Sequence, residues 1–289
     1  MLPMTTETPD SVLQKNVPRV SIGMPVYNGE PFIREALDSL LAQTFSDFEL
    51  IISDNAATDG TETICREYAE KDPRIRYVRQ VENHGATANF QFVLDEAVGE
   101  YFMWAAADDR WCKSYIKKNI TFLESNADYV SSTSDVIGHY DRDIYPAYED
   151  QSGTKRIERV VGRHGSTHMF YSLYRRVELK DIMAKSFPLC RGYDWKLILL
   201  VLKKGKMKIH REWRCFNKYL RESNEVYLIP KVWHSMPDRN INYIIPFYEY
   251  SKTALVLAPT VATVRAVLKL NLMNLLIQIR KLFRILLRA

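Results

Sequence analysis

From residue 19 to residue 107 the chain alternates short apolar runs with helix-length amphipathic ones, four times over. "RVSIGMPVY" (19–27) is rich in β-formers and stops at Asn28-Gly29, a turn signal. "EPFIREALDSLLAQTF" follows, with Phe32, Ala36, Leu37, Leu40 and Leu41 at helical spacing. "FELIISD" predicts a second strand, "NAATDGTETICREYAEKD" a second helix, "IRYVRQ" a third strand, "GATANFQFVLDEAV" a third helix and "EYFMWAA" a fourth strand. That alternation predicts an α/β fold: a mainly parallel, doubly wound sheet with helices on both faces. In such sheets ligands bind beyond the carboxyl ends of the strands. The polar clusters "YNGE" (27–30), "SDNAATDG" (53–60), "ENHGATAN" (82–89) and "ADDRW" (107–111) each follow a strand, so all four are expected along one edge.

Further on, "SYIKKNITFLES" reads as a helix and "DYVSSTS" as a strand. Residues 135–165 are irregular, aromatic and charged, and read as a long loop, functional or mobile. "FPLCRGYDWKLILLVLKKGKMKIH" predicts a loop, a helix ending near Gly205 and a short strand. The polar opening "MLPMTTETPDSVLQKNVPR" has no apolar signal core, and residues 1–17 read as a mobile arm.

Charge is distributed unevenly. Seven basic side chains follow Glu249 and no acidic one does, so the net +5 of the chain falls to −2 without them. A body of that charge is not a nucleic-acid-binding surface. Cys65, Cys112, Cys190 and Cys215 are scattered without a CxxC pair, against a zinc ribbon or disulfide framework and in keeping with a reducing compartment.

The sharpest chemical feature is Asp108-Asp109, two like charges after an apolar strand. Oxygen ligands of this kind suit Mg²⁺ or Mn²⁺, which take one or two protein carboxylates and complete their shell with phosphate oxygens. The alternative is that one aspartate caps the next helix and the other is solvated. There is no GxxxxGK[ST], no GxGxxG after the first strand, and no GxSxG or HExxH.

Residues 20–61, "VSIGMPVYNGEPFIREALDSLLAQTFSDFELIISDNAATDGT", resemble the opening of the inverting glycosyltransferase family 2, which has the GT-A nucleotide-sugar-binding fold. The likeness rests on Pro25, Tyr27 and Asn28; Gln43 and Glu49; "DNAATDGT" (54–61); Asn83 and Gly85; "GEY" (99–101); and "AADD" (106–109), and covers about residues 18–220. It implies a glycosyltransferase domain over 18–235, with a nucleotide-binding half about 18–112 and an acceptor-binding half about 113–235. Residues 236–289 would form a C-terminal helical extension. By the same resemblance Tyr27 and the backbone at Pro25 border the nucleobase, Asp54 accepts from it, and Asp59 orders the loop. Asn28, Asn55, Asn83, Gly85 and Asn89 fall in the nucleotide-sugar site. Asp108 and Asp109 bind the ribose and, through Mn²⁺ or Mg²⁺, the diphosphate. Two positions depart from the family text: Asn55 replaces a carboxylate, and Ala106 stands where the first Asp of D-x-D would be.

The family's catalytic base lies in a loop before a helix, and Asp194 in "CRGYDWKLILL" occupies that place. A carboxylate there would deprotonate the acceptor hydroxyl as it attacks opposite the leaving nucleotide, the logic of inverting glycosidases. The other reading is a helix cap. Arg221, with Arg191, Lys218 and Ser223, could reach phosphates from a closing loop or form surface ion pairs. His164 and His168 lie in the expected acceptor region.

In "VATVRAVLKLNLMNLLIQIRKLFRILLRA" (261–289), Leu268, Leu272, Leu275, Ile279, Leu282 and Leu286 share one helical face beside Lys269, Arg280, Lys281, Arg284 and Arg288. A basic amphipathic helix suggests an anionic membrane surface; docking on the body and homodimerisation are the rivals. The expectation is a metal-dependent sugar transferase at the inner face of the cell membrane. It would move sugar from a nucleotide-diphosphate donor to a glycan or lipid-linked acceptor, in bacterial surface polysaccharide or glycolipid synthesis. A non-catalytic sugar-nucleotide binder and a sugar-phosphate nucleotidyltransferase are the alternatives.

Overall fold

The computed structural model describes residues 17–136, 148–161, 167–186, 193–218 and 248–272. Strands β1 (Val20–Val26), β2 (Phe48–Asp54), β3 (Ile75–Arg79) and β4 (Tyr101–Trp104) alternate with helices α1 (Ile33–Leu41), α2 (Thr61–Lys71) and α3 (Ala86–Asp95). There follow β5 (Asp109–Trp111), α4 (Tyr115–Ser125), β6 (Tyr129–Val136), α5 (Gly153–Val161), a 3-10 turn (Thr167–Tyr171), β7 (Leu173–Arg175), α6 (Arg176–Ser186), α7 (Tyr193–Lys204), β8 (Lys206–Lys218) and α8 (Tyr248–Leu257). Residues 261–272 form a last described helix, α9.

The strands make one sheet in the order β3-β2-β1-β4-β7-β6-β8-β5. β1 runs parallel to β2 and β4, and β2 to β3, with Val26 opposite Asp54 and Asp54 opposite Arg79. β6 and β8 are also parallel, while β7 runs antiparallel to β4 and β6, and β5 antiparallel to β8. The four expected parallel strands are therefore present, and the loops after them lie on one edge.

Each face of the sheet has its own core. Ile22, Met24, Leu50 and Ile52 meet Ile33 and Leu37 of α1, Ile64 of α2 and Ile116 of α4 on one side. Ile51, Phe102 and Trp104 meet Val93 of α3, Ile157 of α5, Leu179 of α6 and Leu197 of α7 on the other. The alternate residues of each strand go to opposite faces, the consequence of the pleat. Gly23 and Gly99 are required by this packing. A Cβ on Gly23 would come within 2.6 Å of Val93, and one on Gly99 within 2.7 Å of the Ser21 backbone nitrogen.

The structure corrects the sequence reading in three places. Residues 148–161 are not irregular: Tyr148 bridges to Met207 and α5 follows. β8 is a 13-residue strand rather than a short one. β5, β7 and α6 carried no expectation. Among the described residues no helix is long and apolar enough to cross a membrane.

Candidate active site

The loops after β1 and β2 are laced together reciprocally. Asn28, at φ 52°, uses Oδ1 to accept from the Thr58 amide at 2.8 Å. Glu30 donates its amide to Asp59 at 3.1 Å and accepts from the Gly60 amide at 2.8 Å. Thr61 Oγ1 accepts from the Gly29 amide at 2.8 Å. Burial raises the Asp59 carboxyl, but the Thr61 hydroxyl and the Thr61 and Glu30 amides together hold it below the usual carboxylate range. Asn28 and Asp59 thus set the shape of this edge. Tyr27, beside them, keeps 48% of its surface exposed, a ring face open to a planar partner, while Pro25 lies within β1.

Asp54 is 0% exposed. One oxygen accepts from the Ala57 amide at 2.7 Å; the other accepts from Tyr77 Oη at 2.7 Å and Arg79 at 2.6 Å. Arg79 reaches on to the Ala57 carbonyl at 3.0 Å and Glu62 at 3.2 Å. Burial, and then the Asp54 charge, push the Tyr77 phenol up, so it stays a proton donor. Burial and the Asp54 and Asp59 charges push the Cys65 thiol to about 12. Arg79 and Tyr77 were missed in the sequence, though their place at the end of β3 puts them on the predicted edge.

The third loop is joined in turn. Asn55 Nδ2 donates to Asn83 Oδ1 at 2.7 Å, and Asn55 Oδ1 accepts from the His84 amide at 3.0 Å. Asn83 also accepts from the Gly85 amide at 2.9 Å, and Gly85, at φ 84°, turns the chain into α3. Buried Asn89 donates to the Ser53 carbonyl at 2.9 Å and accepts from its hydroxyl at 2.5 Å. A cleft of about 440 Å³ opens beside them, lined by Asn55, Gln80, His84, Asn89, Gln91 and Phe92.

Past β4 the Ala105 amide bonds to the Gly23 carbonyl at 2.8 Å, which carries the aspartate pair to the same edge. Asp109 begins β5 and is buried with Trp111; Arg110 faces out to Glu35 at 2.9 Å; Asp108 is only half-buried. Asp194 lies in the first turn of α7. Its distance in sequence from the pair is closed by aromatic packing. Trp104 stacks on Phe170 at 4.4 Å, Phe170 meets Tyr193 edge-on at 5.5 Å, and Phe90 meets Tyr193 at 5.9 Å. Trp104 Nε1 also donates to the Phe90 carbonyl at 3.0 Å. The result is read by Tyr171: burial first, then the charges of Asp109, Asp108 and Asp194, push its phenol well up. The charges of all three carboxylates therefore reach the Tyr171 phenol.

Asp108 and Asp109 fit a hard divalent ion that takes most of its ligands from a diphosphate. Among the described residues no group of three or more His, Cys, Asp or Glu could hold a metal unaided. Cys112, contrary to the expectation from cysteine spacing, is disulfide-bonded. Arg191, Arg221, Ser223 and His164 lie outside the described residues, as do the side chains of Lys218 and His168.

The sequence profile described as "Glycosyl transferase family 2" matches residues 21–183, more than half of the chain. The chain belongs to glycosyl transferase family 2. It is 35% identical over 190 residues to an uncharacterized glycosyltransferase of Rickettsia typhi, covering 61% of this chain and 57% of that one. It is 36% identical over 106 residues to TuaG, a Bacillus subtilis glycosyltransferase named for teichuronic acid biosynthesis, covering 37% and 42%. The chain spans less than two thirds of the length of these curated relatives. S. aureus TarS 1–349 with UDP-GlcNAc superposes with TM-score 0.60 at 20% identity, over 83% of this chain and 66% of that one. A mannosyltransferase of Pyrobaculum calidifontis with GDP-Man and Mn²⁺ gives 0.56 at 20% identity, over 73% and 59%. The fold of this family 2 member is GT-A.

Proposed function

We propose that this family 2 member transfers a sugar, with inversion, from a nucleotide-diphosphate sugar to a hydroxyl of a glycan or lipid-linked acceptor in polysaccharide synthesis. The observation that supports the reading is the ring packing of Trp104, Phe170 and Tyr193, which joins the end of β4, just ahead of Asp108 and Asp109, to the first turn of α7, where Asp194 lies. Asp194 takes the proton of the acceptor hydroxyl while that oxygen bonds to the anomeric carbon and the bond to the diphosphate breaks. Asp108, the more accessible of the pair, and Asp109 would hold Mn²⁺ or Mg²⁺, which when bound supplies charge neutralisation at the diphosphate. Tyr27 offers a stacking face to the base, and the loop braced by Asn28, Asp54 and Asp59 fixes the rim around it. Structural neighbours were solved with nucleotides of this class: TarS with UDP and with UDP-GlcNAc, and the mannosyltransferase with GDP-Man and Mn²⁺.

Asn55 and Ala106, where the resemblance expects carboxylates, favour a second reading, a nucleotide-sugar binder without turnover. The test is thermal shift and product formation over UDP-, GDP- and dTDP-sugars with Mn²⁺. A stabilising donor that is consumed supports transfer, and one that is bound but never consumed supports the binder. Asp194→Asn keeps the thermal shift and lowers turnover by about 10²–10⁴-fold; near-normal turnover removes Asp194 as the base.

A further inference from the structure

α9 has two faces of different character. Thr263, Val267 and Leu270 are buried, and Asn271 donates to Ser251 of α8 at 2.9 Å. α8 is seated on α7: Tyr250 meets Trp195 edge-on at 5.5 Å, and Lys203 donates to the Leu257 carbonyl at 3.2 Å. This is the docking side of the helix, and it leads through α8 to α7, whose first turn carries Asp194. The opposite side leaves Val261, Val264, Leu268 and Leu272 at 68%, 42%, 64% and 58% exposure. Their spacing of three, four and four residues makes a single stripe along the helix. Arg265 and Lys269 are exposed beside it.

Two observations decide what covers this stripe. Among the described residues the body does not, because the helix docks on the body by its other side. A second copy would bring basic residues against basic residues, since the last 40 residues contain seven Lys and Arg and no Asp or Glu. An apolar stripe bordered by uncompensated cations matches a surface with an apolar interior and an anionic skin. The sequence after residue 272 holds Leu275, Ile279, Leu282 and Leu286 at steps of three and four, with Arg280, Lys281, Arg284 and Arg288 among them. We propose that the exposed face of α9 lies in the interface of an anionic lipid bilayer. The apolar side chains enter the boundary between headgroups and acyl chains, and the flanking cations meet lipid phosphates. Because the other side of α9 is packed on α8, and α8 on α7, the bilayer holds the domain by a docked helix rather than by a loose tether. This goes beyond the proposed transfer reaction and does not depend on it.

Co-sedimentation of the full chain with vesicles tests it. Vesicles of phosphatidylcholine and phosphatidylglycerol at 3:1 are compared with phosphatidylcholine alone. The wild type is expected to partition at least tenfold more strongly onto the anionic vesicles, and raising NaCl from about 0.1 to 0.5 M weakens that binding through screening. Leu268→Glu with Leu272→Glu lowers the partition coefficient tenfold or more, and Arg265→Gln with Lys269→Gln lowers it severalfold. Val177→Glu, which alters an equally exposed valine on α6, leaves it within twofold. All the substituted residues are exposed, and unchanged circular dichroism and Tm are the check on folding. The proposal is overturned by absence of vesicle binding, by equal binding to neutral and anionic vesicles, or by binding that survives Leu268→Glu with Leu272→Glu. A dimer in lipid-free light scattering that the same double variant dissolves overturns it in favour of a second copy.

Discussion

Removing Arg79 tests whether the sheet edge after β1, β2 and β3 stands on one buried carboxylate. Asp54 has no exposed surface, and its second oxygen is held by Arg79 at 2.6 Å and Tyr77 at 2.7 Å. Arg79→Ala removes a charge-assisted hydrogen bond to that carboxylate, a change of about 1.5–3 kcal/mol. The contact with Glu62 at 3.2 Å is partly exposed on both sides and adds at most about 1 kcal/mol after screening. Water can replace the bond to the Ala57 carbonyl, since Arg79 is about one third exposed, so that term is small. The expected loss is about 3 kcal/mol. At about 2–4 °C per kcal/mol for a domain of this size, Tm falls by about 6–12 °C. Lysine keeps the charge but not the fork, so Arg79→Lys should recover about half of the loss. The assay is two-state urea unfolding with a parallel thermal melt, followed by nucleotide-induced shift of each variant. A double-mutant cycle with Glu62→Gln isolates the exposed pair, whose coupling should stay below about 1 kcal/mol. If Arg79→Ala melts within 2 °C of wild type, Asp54 is not held by this pair and the account of the edge is wrong.

Other outcomes follow from single contacts. Tyr193→Phe keeps the ring between Phe90 and Phe170 and should preserve kcat; Tyr193→Ala frees the start of α7 and should lower kcat about tenfold while donor KM stays within threefold. A kcat unchanged by the alanine would remove the mooring role. Ala56 sits at φ 58°, a region that costs an L-residue about 1–2 kcal/mol, so Ala56→Gly should raise Tm by about 2 °C after the entropic cost of glycine; no rise counts against strain there. Burial holds the His210 imidazole below its usual value, outweighing the pull of Glu212. Its folded value is lower than its unfolded one, so its contribution is complete above about pH 6.5 and is lost as pH falls through that value. His210→Gln should therefore flatten the decline of Tm between pH 7.5 and 5, and an unchanged slope would exclude this histidine as its source.

The parallel half of the fold was legible because each strand is a short apolar run closed by a polar cluster, and parallel pairing then forces the clusters together. The motif residues Gln43 and Glu49 were legible as letters but not as mechanics. Gln43 donates to the Cys112 carbonyl at 2.8 Å and accepts from the Ile116 amide at 3.0 Å, fastening α1 to the segment after β5. Glu49 accepts from Ser21 at 2.5 Å and from the Val98 amide at 3.2 Å, beneath "GEY". Arg79 was not legible, because Arg76 and Arg79 of "IRYVRQ" look equally solvated until the register of β3 on β2 selects one. β5 has three residues, too few for any period. α5 was hidden because part of its buried face is Arg156, which donates to the Leu202 carbonyl at 2.7 Å and also reaches the carbonyls of Asp150 and Gln151. β8 alternates lysine and arginine with apolar residues, and its length comes from pairing with β6 on one side and β5 on the other.

The two halves of the site are held by different forces, and this bears on what Tyr171 does. On the side of the loops after β1 and β2 the acidic groups are held by local bonds: Asp54 by Arg79 and Tyr77, Asp59 and Glu30 by backbone amides. On the other side the ends of β4 and α7 are joined by stacked rings, which contribute packing without adding charge. Asp108, Asp109 and Asp194 are the charges that act on the Tyr171 phenol, after its burial. A lysine or arginine in that position would neutralise the three carboxylates in advance and compete with any cation. A phenol whose ionisation is pushed well up remains neutral at working pH and adds no charge of its own beside them.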